Sequence, residues 1–176
     1  IREYTGITLQ LDRPWDGDWY ARISYTNSDT VGNYEGTVKS DNGQDDAGIT
    51  TDFDFPEFME GAYGKLPNHR KHNLKFSGAR AIGNGWIAGV TASALSPRYF
   101  GCTGNYPDAV NPQLYADNSW YCDGEVTPRG SQSQSSWEMN VDVMAAYSVP
   151  ISRGDLTLKV DVFNIFNMDA VTDLYE

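Results

Sequence analysis

No run of apolar residues in this chain approaches the roughly 18 that a membrane-crossing helix needs. Basic residues are also scarce. Thirteen Lys and Arg stand against 24 Asp and Glu, a net charge of −11, and no basic stripe is present to neutralise phosphates, which excludes nucleic acid as a partner. The chain has two cysteines and two histidines. It contains no G-x-S-x-G, no Cys–His pairing at motif spacing and no phosphate-cradling glycine loop leading into a helix, so neither enzymatic activity nor a cofactor is expected. His69 and His72 sit in Asn68-His69-Arg70-Lys71-His72, where neighbouring cations would oppose a bound metal ion. Leu and Ile are thin for a soluble core of 176 residues, and the mean hydropathy is −0.51. The chain also lacks an initiating Met and a leader, and it stops at Glu176 just after a strand-like run, so it is expected to be a piece of a longer polypeptide.

What is abundant is Gly (17), Tyr (11) and Trp (5), with apolar residues that are largely small, β-branched or aromatic, a composition suited to pleated surfaces. Six segments alternate with a period of two. Strands are predicted over about 2–12, 19–28, 73–80, 86–96, 136–148 and 156–163. The fifth is the clearest, with Trp137, Met139, Val141, Val143, Ala145 and Tyr147 on one face and Glu138, Asn140 and Asp142 on the other. No apolar face carries a charge, whereas Arg22, Lys75, Glu138, Asp142, Lys159 and Asp161 all take the opposite face. A lipid exterior and a polar lumen require that arrangement, in which these six residues face the lumen.

Between the strands the connections alternate. Short turns at Arg13–Asp18, Arg80–Gly85 and Val149–Asp155 interleave with long loops over about 29–71 and 97–135. Tight periplasmic turns and long extracellular loops give outer-membrane barrels this rhythm, and loops this long are uncommon inside compact soluble domains. Trp137 and Tyr147 are ten residues apart on one face, about 33 Å of strand. Tilted as barrel strands are, that spans roughly 25 Å, the height of the apolar band. The turn Val149–Ser152 is expected to pair Ser148 with Arg153, bringing Asp142 opposite Lys159 or one diagonal step away. Cys102 and Cys122 lie in a Gly-, Asn- and Tyr-rich stretch. A disulfide there suits an exported protein, whereas a two-Cys metal site would lack His or acidic partners at ligand spacing. Asp41, Asp45, Asp46, Asp52 and Asp54 read as a solvated acidic loop, or as oxygen ligands for Ca²⁺ at spacings unlike an EF-hand.

Several runs resemble TonB-dependent outer-membrane receptors, in the subgroup whose chains begin with a carboxypeptidase-regulatory-like domain. They are Asp12-Arg13-Pro14-Trp15-Asp16-Gly17-Asp18-Trp19, Gly32-Asn33-Tyr34-Glu35-Gly36, Ser40-Asp41-Asn42-Gly43-Gln44-Asp45, Gly61-Ala62-Tyr63-Gly64-Lys65-Leu66-Pro67-Asn68-His69-Arg70, Thr127-Pro128-Arg129-Gly130-Ser131 and Leu158-Lys159-Val160-Asp161-Val162-Phe163-Asn164-Ile165-Phe166-Asn167. The last is similar to the penultimate barrel strand of such receptors. The resemblance implies an all-β fold, an antiparallel transmembrane β-barrel segment of about six strands from the C-terminal part of a 22-stranded barrel. It implies an N-terminal plug, a periplasmic TonB partner, outer-membrane lipid and lipopolysaccharide as surroundings, and energised uptake in a Gram-negative outer membrane. Tyr106, Tyr115, Trp120 and Tyr121 are then candidate ligand-contacting aromatics in a lid held by Cys102–Cys122. An export or passive conduit on the same barrel, and a soluble secreted β-sandwich binding module, are the alternatives.

Overall fold

The computed structural model describes residues 1–44, 46, 48, 53–107 and 119–174. Eleven strands follow along these residues: β1 (Arg2–Arg13), β2 (Trp19–Gly32), β3 (Gly64–Lys65), β4 (His72–Gly83), β5 (Trp86–Leu95), β6 (Tyr99–Phe100), β7 (Tyr121–Cys122), β8 (Glu125–Val126), β9 (Ser133–Gln134), β10 (Glu138–Ile151) and β11 (Gly154–Val162). The six long ones lie in chain order across one antiparallel sheet, β1-β2-β4-β5-β10-β11, with β3 paired to the end of β2. The fold class is therefore all-β and antiparallel, as the alternation requires. Among the described residues both edges of the sheet are open, since β1 and β11 each pair on one side only.

Register carries each face across the whole sheet. Leu11, Ile23, Phe76, Ala92 and Val141 stand in one row, and Ala21, Gly78, Val90, Val143 and Val162 in another. On the reverse face a row runs Asp12, Arg22, Ser77, Thr91, Asp142. The apolar face has no protein cover among the described residues, because the two further sheets, β6-β9 and β7-β8, are two-stranded and lie in the loops. Ile7, Leu11 and Val160 are 71%, 72% and 64% exposed, while Val90, Val141 and Val143 at the centre are half-buried by their neighbours. Leaving a large aliphatic side chain in water forgoes about 1.5–3 kcal/mol, so a row of them demands an apolar partner.

Aromatic rings mark both ends of this face. At the short-turn end Trp86 and Tyr147 are 4.8 Å apart, and the Arg13 guanidinium lies 4.1 Å over the Trp19 ring. At the loop end His72 stacks between Tyr25 (6.0 Å) and Trp137 (6.1 Å). The first turn is closed by Asp16, whose Oδ1 accepts from the Asp18 and Trp19 amides at 3.0 and 3.2 Å.

Three strands run further than the alternation alone indicates. β2 continues to Gly32 because β1 begins at Arg2 and offers partners that far. β4 continues to Gly83 through a register shift at Ala81–Gly83, and the turn closes on Asn84 and Gly85, both at positive φ. Arg80, expected in that turn, consequently stands on the apolar face at its short-turn rim, opposite Trp19 and Ala88. β10 extends to Ile151, and Ser152-Arg153 alone make the turn. This corrects the expected hairpin: Ser148 pairs with Thr157 rather than Arg153, and Lys159 lies opposite Ala146, not Asp142. A slip of four residues leaves every side chain on its own face, so alternation cannot choose between the two registers. The longer one adds the pairs Tyr147–Leu158 and Val149–Leu156.

Candidate functional site

The buried apolar residues lie mostly above the sheet. Phe58, Ala62, Leu66, Phe100, Trp120 and Tyr121 all belong to the two long loops, with Ala146 the sheet's sole member of this set among the described residues. The loops thus fold together into one lid. Its centre is Trp120, fully buried, with the Arg129 guanidinium 4.7 Å over its ring and Lys39 Nζ 5.6 Å away. Arg129 reaches Asp41 Oδ2 at 3.1 Å, both side chains being almost wholly buried. Asp41 comes from the first loop and Arg129 from the second, so this pair ties them.

Backbone contacts complete the tie. The Arg129 amide donates to Gly61 O (2.9 Å) and the Lys65 amide to Arg129 O (3.2 Å). Two glycines permit this approach: a Cβ at Gly64 would stand 1.9 Å from Arg129 O, and one at Gly61 would press on the Trp120 Cβ at 2.8 Å. Inside the second loop Cys102 and Cys122 are disulfide-bonded, and the Thr127 hydroxyl donates to Cys102 O at 3.0 Å. Glu60 Oε2 accepts from the Tyr121 hydroxyl (2.7 Å) and the Tyr106 hydroxyl (3.2 Å), the two rings meeting edge to face at 4.8 Å. That bond to Glu60 holds the Tyr121 phenol above its ordinary value.

The four aromatics singled out from the sequence are thus divided. Trp120 and Tyr121 are interior to the lid, Tyr106 braces Tyr121 at its margin, and Tyr115 lies outside the described residues. The exposed loop aromatics are instead Phe53, Phe55 and Tyr63. Asp41 is buried and paired with Arg129, so it is not part of a solvated acidic surface, and Asp45 and Asp52 lie outside the described residues. The Asp41–Arg129 pair was hidden in the sequence. Its two halves are 88 positions apart, and no local pattern links them.

On the polar face of the sheet the six charges fall into small groups. Arg22 Nε bonds the Asp12 carboxylate at 3.0 Å, Arg70 Nη2 approaches Glu138 at 3.9 Å, and Lys159 Nζ meets Asp161 at 2.9 Å along the same strand. Lys75 stands between Ser24 and Ser93. Asp142, Lys159 and Asp161 share the wall of one shallow notch with Tyr20 and Phe163, about 240 Å³ in volume. Asp142 has a second post: its Oδ1 accepts from the Asn164 amide at 2.8 Å. There β11 ends, Asn164 taking positive φ. The following segment runs back to the loops, where Ser136 N–H donates to Val171 O (3.0 Å) and Arg98 pairs with Asp173 (3.1 Å).

Over nearly its whole length the chain is similar to part of a TonB-dependent transporter. The relative is the TonB-dependent transporter Oar of Myxococcus xanthus, 31% identical over 175 residues, which is 97% of this chain and 16% of that protein. The chain thus spans about a sixth of the relative's length. No family model matches the chain, and no solved structure matches it.

Proposed function

We propose that this chain is a stretch of barrel wall with its loop lid from an outer-membrane receptor of the TonB-dependent family, working in energised substrate uptake. The observation that carries the reading is the apolar face: continuous across six strands, bare of protein among the described residues and bounded by aromatic rings at both ends. Lipid is the partner that satisfies it, because the inner strands pair their backbone on both sides, as a closed barrel would also do for β1 and β11, and the side chains supply the apolar contact. The kinship with Oar points the same way. On this reading the long loops are extracellular, and the charges Arg22, Lys75, Glu138, Asp142, Lys159 and Asp161 face a lumen occupied by a plug. The chain then belongs to the C-terminal part of a 22-stranded barrel, in the subgroup with a carboxypeptidase-regulatory-like domain, and a periplasmic TonB protein acts through the plug. The chain itself performs no enzymatic step.

The test is expression of the whole polypeptide that carries this chain in a Gram-negative host. The expected result is a heat-modifiable protein in the outer-membrane fraction, with Phe53 and Tyr63 loop tags reached by protease from outside intact cells, and solute uptake that stops when the inner-membrane proton gradient is collapsed. Transport indifferent to that gradient would point to a passive or export conduit. A chain that stays monomeric and soluble without detergent would sink the membrane reading altogether.

A further inference from the structure

Where the polar face of the sheet meets the end of the first long loop, it carries a cavity of about 430 Å³. Two arginines line it, Arg2 and Arg70, and every other lining side chain bears a hydroxyl or an amide, Tyr4, Thr30, Asn68 and Asn73 among them. Arg2 and Tyr4 share their face with Asp12 and Arg22, and Asn73 stands in the row Thr8, Thr26, Asn73, Leu95, Glu138. On the receptor reading this face is the lumenal one, so the cavity opens inward just below the loops. No carboxylate lines it, in a chain with 24 acidic residues against 13 basic ones.

The lining leaves both charge and hydrogen-bonding capacity unanswered. Arg2 makes no ion pair among the described residues, and the bond from its Nη1 to Glu35 O at 2.7 Å uses one of five N–H donors. Arg70 Nη2 stands 3.9 Å from Glu138, beyond hydrogen-bond range. Asn73 Oδ1 is buried and accepts nothing, although a buried acceptor normally finds a donor. Tyr4 adds an apolar surface. A Cβ at Gly6 would stand 2.7 Å from the Tyr4 hydroxyl, so the glycine lets this ring lie down over the strand, where it is 64% exposed.

We propose that this cavity binds an acidic sugar, its carboxylate or sulfate held by Arg2 and Arg70, a ring hydroxyl donating to Asn73 Oδ1 and the apolar side of the ring resting on Tyr4. The planar guanidinium fork matches a two-oxygen anion, and a ring of hydroxyls suits a wall of hydroxyls and amides. A bare anion would engage the arginines alone and leave Asn73 unpaired. A neutral sugar would leave both cations unanswered. A peptide carboxylate would satisfy the arginines, but its side chains would find no apolar surface beyond Tyr4. The inference rests on the receptor reading above and names a substrate class for it.

The test uses the whole outer-membrane protein that carries this chain, purified in mild detergent and titrated calorimetrically with digalacturonate, its methyl ester, galactose 6-sulfate, triglutamate and acetate. One of the two charged sugars should bind, and the tighter of them identifies the acidic group. The ester should bind at least tenfold more weakly than digalacturonate, and acetate at equal concentration should displace neither sugar. Arg2→Gln should weaken the charged sugar about tenfold and leave the ester unchanged, whereas Tyr4→Ala should weaken both. Equal binding of ester and acid would overturn the arginines as the anion site, and displacement by acetate would overturn the sugar. Tighter binding of triglutamate would assign the cavity to a peptide instead. Binding of none of the probes would mean that another part of the same polypeptide fills the cavity, which overturns the site. Heat-modifiability and membrane partition are read in parallel. Variants that insert normally and bind as wild type refute this site alone, whereas a wild-type protein that never enters membranes refutes the barrel itself.

Discussion

Arg129 and His69 are polar side chains buried in the lid. Arg129 neutralises a carboxylate that has almost no access to water, and removing one partner of such a pair costs roughly 3–5 kcal/mol because the other charge is stranded. Arg129→Met should therefore open the lid, seen as faster proteolytic nicking of both loops at once while the sheet keeps its far-ultraviolet signal. Nicking confined to the second loop would mean that the pair does not join them. His69 acts through pH. Its folded-state pKa lies below the ordinary imidazole value because the ring is buried, so the unfolded lid binds a proton more readily than the folded one. The neutral ring's contribution is fully present above about 6.5 and is lost as pH falls from there through the lowered value. The lid's melting midpoint should drop between pH 7.5 and pH 5, and His69→Gln should flatten that dependence; an unchanged slope in the variant would place the titrating group elsewhere.

At the scale of elements, the Cys102–Cys122 bridge closes 20 residues of chain, which in the chain-entropy model is worth about 3 kcal/mol to the folded loop. Reduction, or Cys102→Ser with Cys122→Ser, should melt β7-β8 and release Trp120 fluorescence while the six long strands persist. Concerted loss of the sheet would show that lid and wall are one cooperative unit. The long strands were legible because each presents one apolar face for many residues, and a period of two is a strong signal over that length. Register was less legible. The β10–β11 hairpin depends on turn chemistry at Ser152-Arg153, where a shift by an even number of residues leaves the pattern intact, and the end of β4 on a bulge at Ala81–Gly83 just before Asn84-Gly85. The lid was not legible as a folded body. Its contacts join residues far apart in sequence, and the aromatic count that suggested a binding surface for Trp120 and Tyr121 belongs in part to a core.

For the molecule as a whole, the two faces of the wall should tolerate charge very differently. On the membrane reading, Val143, midway along its strand in the row with Val90 and Val162, falls near the middle of the bilayer. An Arg on the lipid face at that depth costs about 2–4 kcal/mol, whereas the lumen side accepts it. Val143→Arg should reduce the heat-modifiable fraction in outer membranes, and Thr91→Arg, on the opposite face between Ser77 and Asp142, should leave it near wild type. Equal sensitivity of the two positions would mean that both faces are covered by protein.

Because Asp41 and Arg129 bind the first long loop to the second, the two cannot diverge separately. An insertion in one that shifts its half of the ion pair strands a charge in the other, so new recognition surfaces have to arise in tandem or else be confined to the outermost tips, where Phe53 and Phe55 are exposed. If the chain serves as the proposed receptor, grafting a specificity onto it would accordingly require both loops to be exchanged together as a single module.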